Sequence, residues 1–163
     1  MADINPALNT PTDLSNTRNV ADALNASLAD YYALYLKTKN FHWHVSGPHF
    51  RDYHLMLDDQ AAQILGVTDA IAERVRKTGN TTLRSIGDIS RRQTIADNDK
   101  DFVNAAAMLA ELREDNLKLV ESFRVVKDAA DDAKDNATSG IVDEWTDQAE
   151  ERAWFLFEAS RKG

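Results

Sequence analysis

Cysteine is absent from this chain of 163 residues, which excludes disulfides, thiolate metal sites and cysteine nucleophiles. Proline occurs three times and glycine six times, so few positions can interrupt a long helix. No apolar run approaches the length of a membrane span, and residues 1–20 lack the apolar core of a signal peptide. These absences favour a single cytoplasmic domain with no membrane partner.

Basic residues are also scarce, because 19 Lys and Arg stand against 27 Asp and Glu, for a formal net charge of -8. An acidic surface repels phosphate, so nucleic acid is not the default partner. Acidic chains attract cations, although the simplest interpretation of the surplus is that it keeps the protein in solution.

Four long stretches repeat apolar residues at the three-to-four spacing of a helix. Gly47-Pro48 marks the turn between the first two stretches. The predicted helices cover Val20 to beyond Phe41, Phe50–Gly79, Asp99–Lys127 and Asp135–Ser160. Four long helices with one long middle connection predict an all-α four-helix bundle with a crossover. In the connection, residues 80–98, we expect one short helix within Thr82–Ile89.

The first residues predict a different kind of structure. Pro6 and Pro11 lie in a polar segment that is typical of a flexible arm. We therefore divide the chain into an N-terminal arm, residues 1–17, and the bundle, residues 18–163.

All four histidines fall within a window of thirteen residues, and carboxylates follow them on the second helix. A lone histidine is more often structural than a ligand, and clustering alone proves little. At roughly 100° per residue, however, four of these side chains share one stripe of the second helix: His54, Asp58, Asp69 and Glu73. A solvated face is the simplest explanation of such a stripe. The residues between them on that face are small or apolar, which indicates an interface: Ala61, Ala62, Leu65 and Gly66.

The spacing of these acids constrains how a metal could bind. Asp58 and Asp69 lie roughly 16 Å apart along the helix at ~1.5 Å per residue, so one ion cannot bind both. A two-fold axis near Gln63 and Ile64 would set two such helices antiparallel. His54 and Asp58 of one chain would then face the other chain's acids. The spacing predicts a metal site shared between two copies.

The ligand types narrow the choice of metal. Imidazole and carboxylate without thiolate favour Fe(II), Mn(II) or Zn(II). No glutamate has a histidine three residues later, so the Glu-x-x-His motif of an intrachain di-iron bundle is missing. A bundle that binds Zn(II) or Mn(II) without redox turnover remains an alternative.

The run from Lys39 to Phe50, KNFHWHVSGPHF, followed by His54, Asp58 and Asp69-x-x-x-Glu73-Arg74, resembles the Dps family of miniferritins. The similarity covers about residues 17–160. It implies a ferritin-like subunit of a hollow dodecamer. It also implies that the protein oxidises Fe(II), preferentially with hydrogen peroxide rather than oxygen, and stores ferric mineral inside, which protects against oxidative damage.

The resemblance also assigns residues to this iron chemistry. It implies a ferroxidase centre at a subunit interface, where iron binds one set of five side chains: His42, His54 and Asp58 of one subunit, with Asp69 and Glu73 of the other. Trp43 matches an aromatic residue beside the centre that intercepts radicals, and a core tryptophan is the alternative. His44 and His49 match no ligand position.

Two further expectations follow from the family. Acids near the start of the last helix line an iron-entry pore in relatives, which makes Asp131 and Asp135 candidates, although a solvated acidic run is the simpler explanation.

Relatives that coat DNA often carry lysine-rich arms. Here residues 1–19 hold a single base, Arg18, and the C-terminus offers Arg161 and Lys162. A nucleoid DNA-binding protein with secondary metal binding is the alternative, and the base-poor arms argue against it. We therefore expect weak or absent DNA binding.

Overall fold

The computed structural model describes residues 17–162, and within them it contains five helices and no strand. The helices are α1 (Arg18–His44), α2 (Phe50–Lys77), α3 (Ile86–Arg92), α4 (Ala105–Asp132) and α5 (Asn136–Ser160). α1 packs along α2, α4 packs along α5, and contacts between α1 and α4 join the two pairs. This confirms the predicted four-helix bundle with an extra short helix. None of the described helices combines the length and apolarity needed to cross a membrane.

The core lies between the four long helices and consists mainly of apolar residues at the three-to-four spacing of those helices. Its largest fully buried apolar side chains include Leu24, Leu28, Tyr31, Phe41, Ile64, Ile71 and Phe123. Burying one such side chain contributes about 1.5–3 kcal/mol, so this core holds each long helix in place.

Polar side chains of α1 and its cap hold the long connection against the bundle. Their hydrogen bonds satisfy backbone groups at buried and partly buried positions. The paired residues are Thr17–Thr78, Asn25–Thr81, Asp30–Thr94 and Asn40–Asn98. The connection therefore follows α1 although its own helical signal is weak. Of the predicted arm, residues 1–17, only Thr17 lies within the described residues, and it is buried.

The predicted bounds of α3 and α4 were wrong, and capping explains where both helices begin. α3 covers Ile86–Arg92 rather than Thr82–Ile89, because the Ser85 hydroxyl accepts a hydrogen bond from the Asp88 amide and caps the helix there. α4 begins at Ala105 rather than Asp99, because the Asn104 side chain accepts from the Ala107 amide. Phe102 continues the apolar pattern of α4 towards the N-terminus, but it precedes the helix and is 71% exposed. α4 also continues to Asp132, beyond the predicted end near Lys127.

Candidate metal centre

A sharp turn brings the end of α1 and the start of α2 together. Gly47 has a φ of 119°, a conformation that side chains disfavour, so glycine allows the chain to reverse there. The reversal places His42, in the last turn of α1, against His54, in the second turn of α2. Their rings stack with centroids 3.8 Å apart and planes inclined by 15°.

Reciprocal hydrogen bonds fix the orientation of both rings. His42 Nδ1 lies 2.7 Å from the carbonyl oxygen of His54, and His54 Nδ1 lies 2.8 Å from that of His42. Because a carbonyl oxygen can only accept, each Nδ1 must carry the proton and donate it. When the proton of a neutral imidazole is on Nδ1, its Nε2 keeps a lone pair that can bind a metal.

Asp58 adds a carboxylate to this histidine pair. Its Oδ1 lies 3.8 Å from His42 Nε2 and 2.7 Å from Lys39 Nζ. The hydrogen bond from Lys39 lowers the pKa of the Asp58 carboxyl from its usual value, against the opposing effect of desolvation. Asp58 is thus ionised at neutral pH and holds a cation, the Lys39 ammonium, beside the histidines. Sequence reasoning missed Lys39, although it stands three residues before His42 and so shares its helix face.

The other two predicted ligands do not join this group. Asp69 and Glu73 are exposed on α2, and neither side chain makes a hydrogen bond or ion pair with any residue of 17–162. Within these residues no cluster of three or more His, Cys, Asp or Glu side chains could hold a metal ion. A single chain stacks His42 on His54 and places Asp58 nearby, but it does not complete a metal site, and it leaves the acidic pair apart.

The face of α2 between the two groups is open. Ala62 and Gly66 are exposed, Leu65 is 42% exposed, and a Cβ atom added at Gly66 would meet nothing within 4 Å. An exposed stripe of small and apolar residues is compatible with close approach of a second helix. The partner itself stays a prediction.

The remaining aromatic and histidine candidates surround this region. Trp43 is 57% exposed, so it is not a core tryptophan of the single chain, and Lys39 Nζ lies 5.9 Å from its ring centroid. His44 Nδ1 bonds to Asn40, and the His49 ring packs near Tyr53. Both of these histidines are exposed, and neither stacks with the His42–His54 pair.

The two pore candidates differ in their surroundings. Asp135 is buried and caps α5, where it accepts from the Thr138 amide and hydroxyl, and Arg74 Nη2 lies 3.5 Å from its Oδ1. The Asp-x-x-Thr spacing was a capping signal that sequence reasoning did not use. Asp131 is exposed and accepts one hydrogen bond, from the Ser139 hydroxyl. Asp131 is thus the freer carboxylate.

Comparison with known proteins agrees with this fold. The ferritin-like domain family matches residues 21–162. An uncharacterized low temperature-induced protein of Nostoc is 32% identical and aligns over 93% of this chain and 85% of its own length. A DNA protection during starvation protein of Brevibacillus brevis is 31% identical over 84% of this chain and 91% of its own. The crystal structure of a Dps protein from Bacillus brevis superimposes with a TM-score of 0.86 at 29% identity, covering 92% of this chain and 100% of that one. The chain belongs to the Dps family of ferritin-like proteins.

Proposed function

We propose that this protein is a ferroxidase that oxidises Fe(II) at a centre shared by two copies of the chain and stores the ferric product inside a hollow dodecamer. The observation that carries the proposal is the reciprocal bonding of His42 and His54, which presents two metal-binding nitrogens next to Asp58. Membership of the Dps family supports iron as the metal.

The second half of the centre comes from Asp69 and Glu73 of another copy. These acids are one helical turn apart and exposed, so they can bind one ion together. An antiparallel approach of two α2 helices across Ala62 and Gly66 brings each acidic pair to the other chain's histidines. Isologous pairing then creates two identical centres per dimer.

The residues suit the oxidation of iron. Two Fe(II) ions each release one electron, and one hydrogen peroxide molecule accepts both electrons and two protons to form two water molecules. Carboxylates at the centre stabilise the higher charge of Fe(III) relative to Fe(II). The Lys39 ammonium pairs with the Asp58 carboxylate in the absence of iron, and a bound iron ion takes its place as the positive partner. The exposed Trp43 side chain intercepts radicals that escape from the centre. Oxygen is the slower oxidant in this proposal.

Assembly and iron entry complete the proposal. The dodecamer follows from the family likeness, and its intact mass, measured by native mass spectrometry, tests it. We propose Asp131 rather than Asp135 as the pore carboxylate, because the cap and Arg74 already engage Asp135. Iron storage of this kind fits a cytoplasmic protein.

DNA protection is the second candidate function, because the Brevibacillus relative is named for it. Removing Fe(II) and peroxide would protect DNA without contact, and residues 1–19 and the C-terminus carry few bases.

A protein that binds Zn(II) or Mn(II) without redox turnover is distinguished more simply. It would consume neither oxygen nor peroxide when Fe(II) is added.

The decisive variant removes only the exposed acids. Replacing Asp69 and Glu73 by Ala should abolish rapid Fe(II) oxidation by peroxide while the oligomer persists, as followed by stopped-flow absorbance and native mass. The control replaces Asp52 and Asp59, exposed acids on the same helix, with the same change in charge. Oxidation at the parent rate in the Asp69/Glu73 variant would mean that the centre lies elsewhere.

A further inference from the structure

The imidazole of His54 is contacted by two other rings. His42 stacks on it with centroids 3.8 Å apart and planes inclined by 15°. Phe50 is the first residue of α2 and lies one turn before His54. Its ring centroid is 5.1 Å from that of His54, with the planes inclined by 30°. Because His42 occupies one face of the imidazole at stacking distance, Phe50 contacts the opposite face. His54 is thus held between a ring of α1 and a ring of its own helix.

Neither the core nor the start of α2 accounts for Phe50. Its side chain is 45% exposed, and it is not among the apolar residues of 17–162 that form the core or pack against it. The N-cap residue of α2 is His49. A hydrophobic staple across that cap would join Pro48 to Tyr53, the fourth residue of the helix. Phe50 stands at neither position, so the contact with His54 is the interaction that explains its placement.

The bundle restrains the two histidines to different degrees. The His42 side chain is buried, so packing within the bundle limits the motion of its ring. His54 is only half-buried. Its Nδ1 donates to the carbonyl oxygen of His42, which fixes one atom but still allows the ring to rock about that bond. A second ring on the open face limits this rocking and keeps Nε2 directed at one place.

We propose that Phe50 is a positioning residue for the metal centre, because its ring holds the His54 imidazole in the orientation in which Nε2 binds a metal ion. The inference rests on the proposed function, since it takes His54 to be a ligand of that centre. A ligand that is already oriented loses less side-chain freedom when the ion arrives, and the ion therefore binds more tightly. The strength of an aromatic pair beyond its buried area limits this effect to about tenfold in affinity.

The test removes the flat ring and keeps most of its bulk. Phe50→Leu loses the ring face, and Phe50→Tyr retains it. Phe157→Leu is the matched control, because Phe157 is also 45% exposed and its ring contacts Arg113 rather than a histidine. Calorimetric titration of the assembled apo protein with Co(II), without oxygen, measures metal affinity without turnover. Phe50→Leu should bind Co(II) about two- to tenfold more weakly than the native protein. Phe50→Tyr and the control should bind it as the native protein does.

Fe(II) oxidation supplies a second measurement. Once an ion is bound, its own bonds orient His54. Phe50→Leu should therefore raise the KM for Fe(II) by the same factor and change kcat by less than about twofold. A ring that only stabilised the fold would leave the metal affinity of the folded protein unchanged. A ring that only joined two copies would, when replaced, lower the mass of the assembly in native mass spectrometry.

Four results would overturn the proposal: no Co(II) binding by the native protein, native affinity in Phe50→Leu, an equal loss in Phe157→Leu, or a loss in Phe50→Leu that accompanies breakdown of the assembly. A Phe50→Tyr variant that binds Co(II) as weakly as Phe50→Leu would also contradict it, since tyrosine keeps the ring face. The ferroxidase proposal fails separately. A native protein that binds Co(II) but does not oxidise Fe(II) would refute that proposal, and the Co(II) comparison would still judge the role of Phe50.

Discussion

The two ends of α2 carry ligands of the same proposed centre in different surroundings. At the N-terminal end, α1 orients His54 by stacking and hydrogen bonding, and Lys39 binds Asp58. At the other end, Asp69 and Glu73 are exposed and have no partner within residues 17–162. If α2 carried only a solvated acidic face, nothing would require hydrogen bonds that fix the orientation of the two imidazole rings. The difference agrees with the proposal that one end is organised by its own chain and that the other end is completed by a second copy.

The largest expected effect is on Fe(II) oxidation, when two variants with lesions at opposite ends of α2 complement each other. One variant lacks His54 and Asp58, and a second lacks Asp69 and Glu73. Each alone should be nearly inactive in Fe(II) oxidation, because every shared site contains a lesion. When the two are unfolded and refolded together, each mixed dimer has one site with both lesions and one intact site. Random pairing should therefore restore roughly a quarter of all sites.

Stopped-flow oxidation of the refolded mixture measures this recovery, and native mass spectrometry verifies that mixed assemblies have formed. Each variant refolded alone is the control. A site contained within one chain gives no recovery, because every chain carries a lesion. Verified mixed assemblies as inactive as the separate variants would rule out the shared centre.

Residue spacing put Ala61 on the same open face of α2 as Ala62 and Gly66, but Ala61 is buried in its own bundle. Periodicity was enough to predict the four long helices. It could not locate the start of α4, because exposed Phe102 continues the apolar pattern while the Asn104 cap decides the boundary. Nor could it show that Asp135 is buried as a cap, since that depends on how α5 packs. The histidine pair was predicted from the family likeness, but its hydrogen bonds depend on the turn at Gly47 and are visible only in three dimensions.

The bundle interior offers a second contrast with the exposed acids of α2. Arg152 of α5 is 2% exposed, and its guanidinium donates to Asn116 and Gln63 at 2.7 Å each and to the Tyr31 hydroxyl at 3.4 Å. Burial raises the pKa of Tyr31, and the nearby Arg152 partly opposes this. One polar side chain from each long helix thus meets in the core, and sequence pattern gave no sign that Arg152 would be buried.

This contrast predicts unequal costs in stability. Arg152→Ala leaves buried acceptors without donors and opens a cavity, so it should lower the free energy of unfolding by at least about 2 kcal/mol. Replacing both Asp69 and Glu73 by Ala should change it by less than about 0.5 kcal/mol, because both are exposed. Urea denaturation of the apo proteins measures both changes. Equal effects would mean that the acidic pair already has a structural partner.

The smallest expected effect concerns Lys39, which distinguishes the organised end of α2 from the open one. Since its hydrogen bond lowers the pKa of Asp58 in the folded state, that pair stabilises the fold above the carboxyl's unfolded pKa. The contribution disappears as the pH falls through the lower folded pKa. Lys39→Met should raise the Asp58 pKa towards its usual value and flatten this acid dependence. Carboxyl-carbon NMR titration of the apo protein measures the shift, and Lys162→Met is the charge-matched control. An Asp58 pKa unchanged by Lys39→Met would show that the ion pair does not persist in solution. Asp58 would then lack an ion-pair partner, as Asp69 does within residues 17–162.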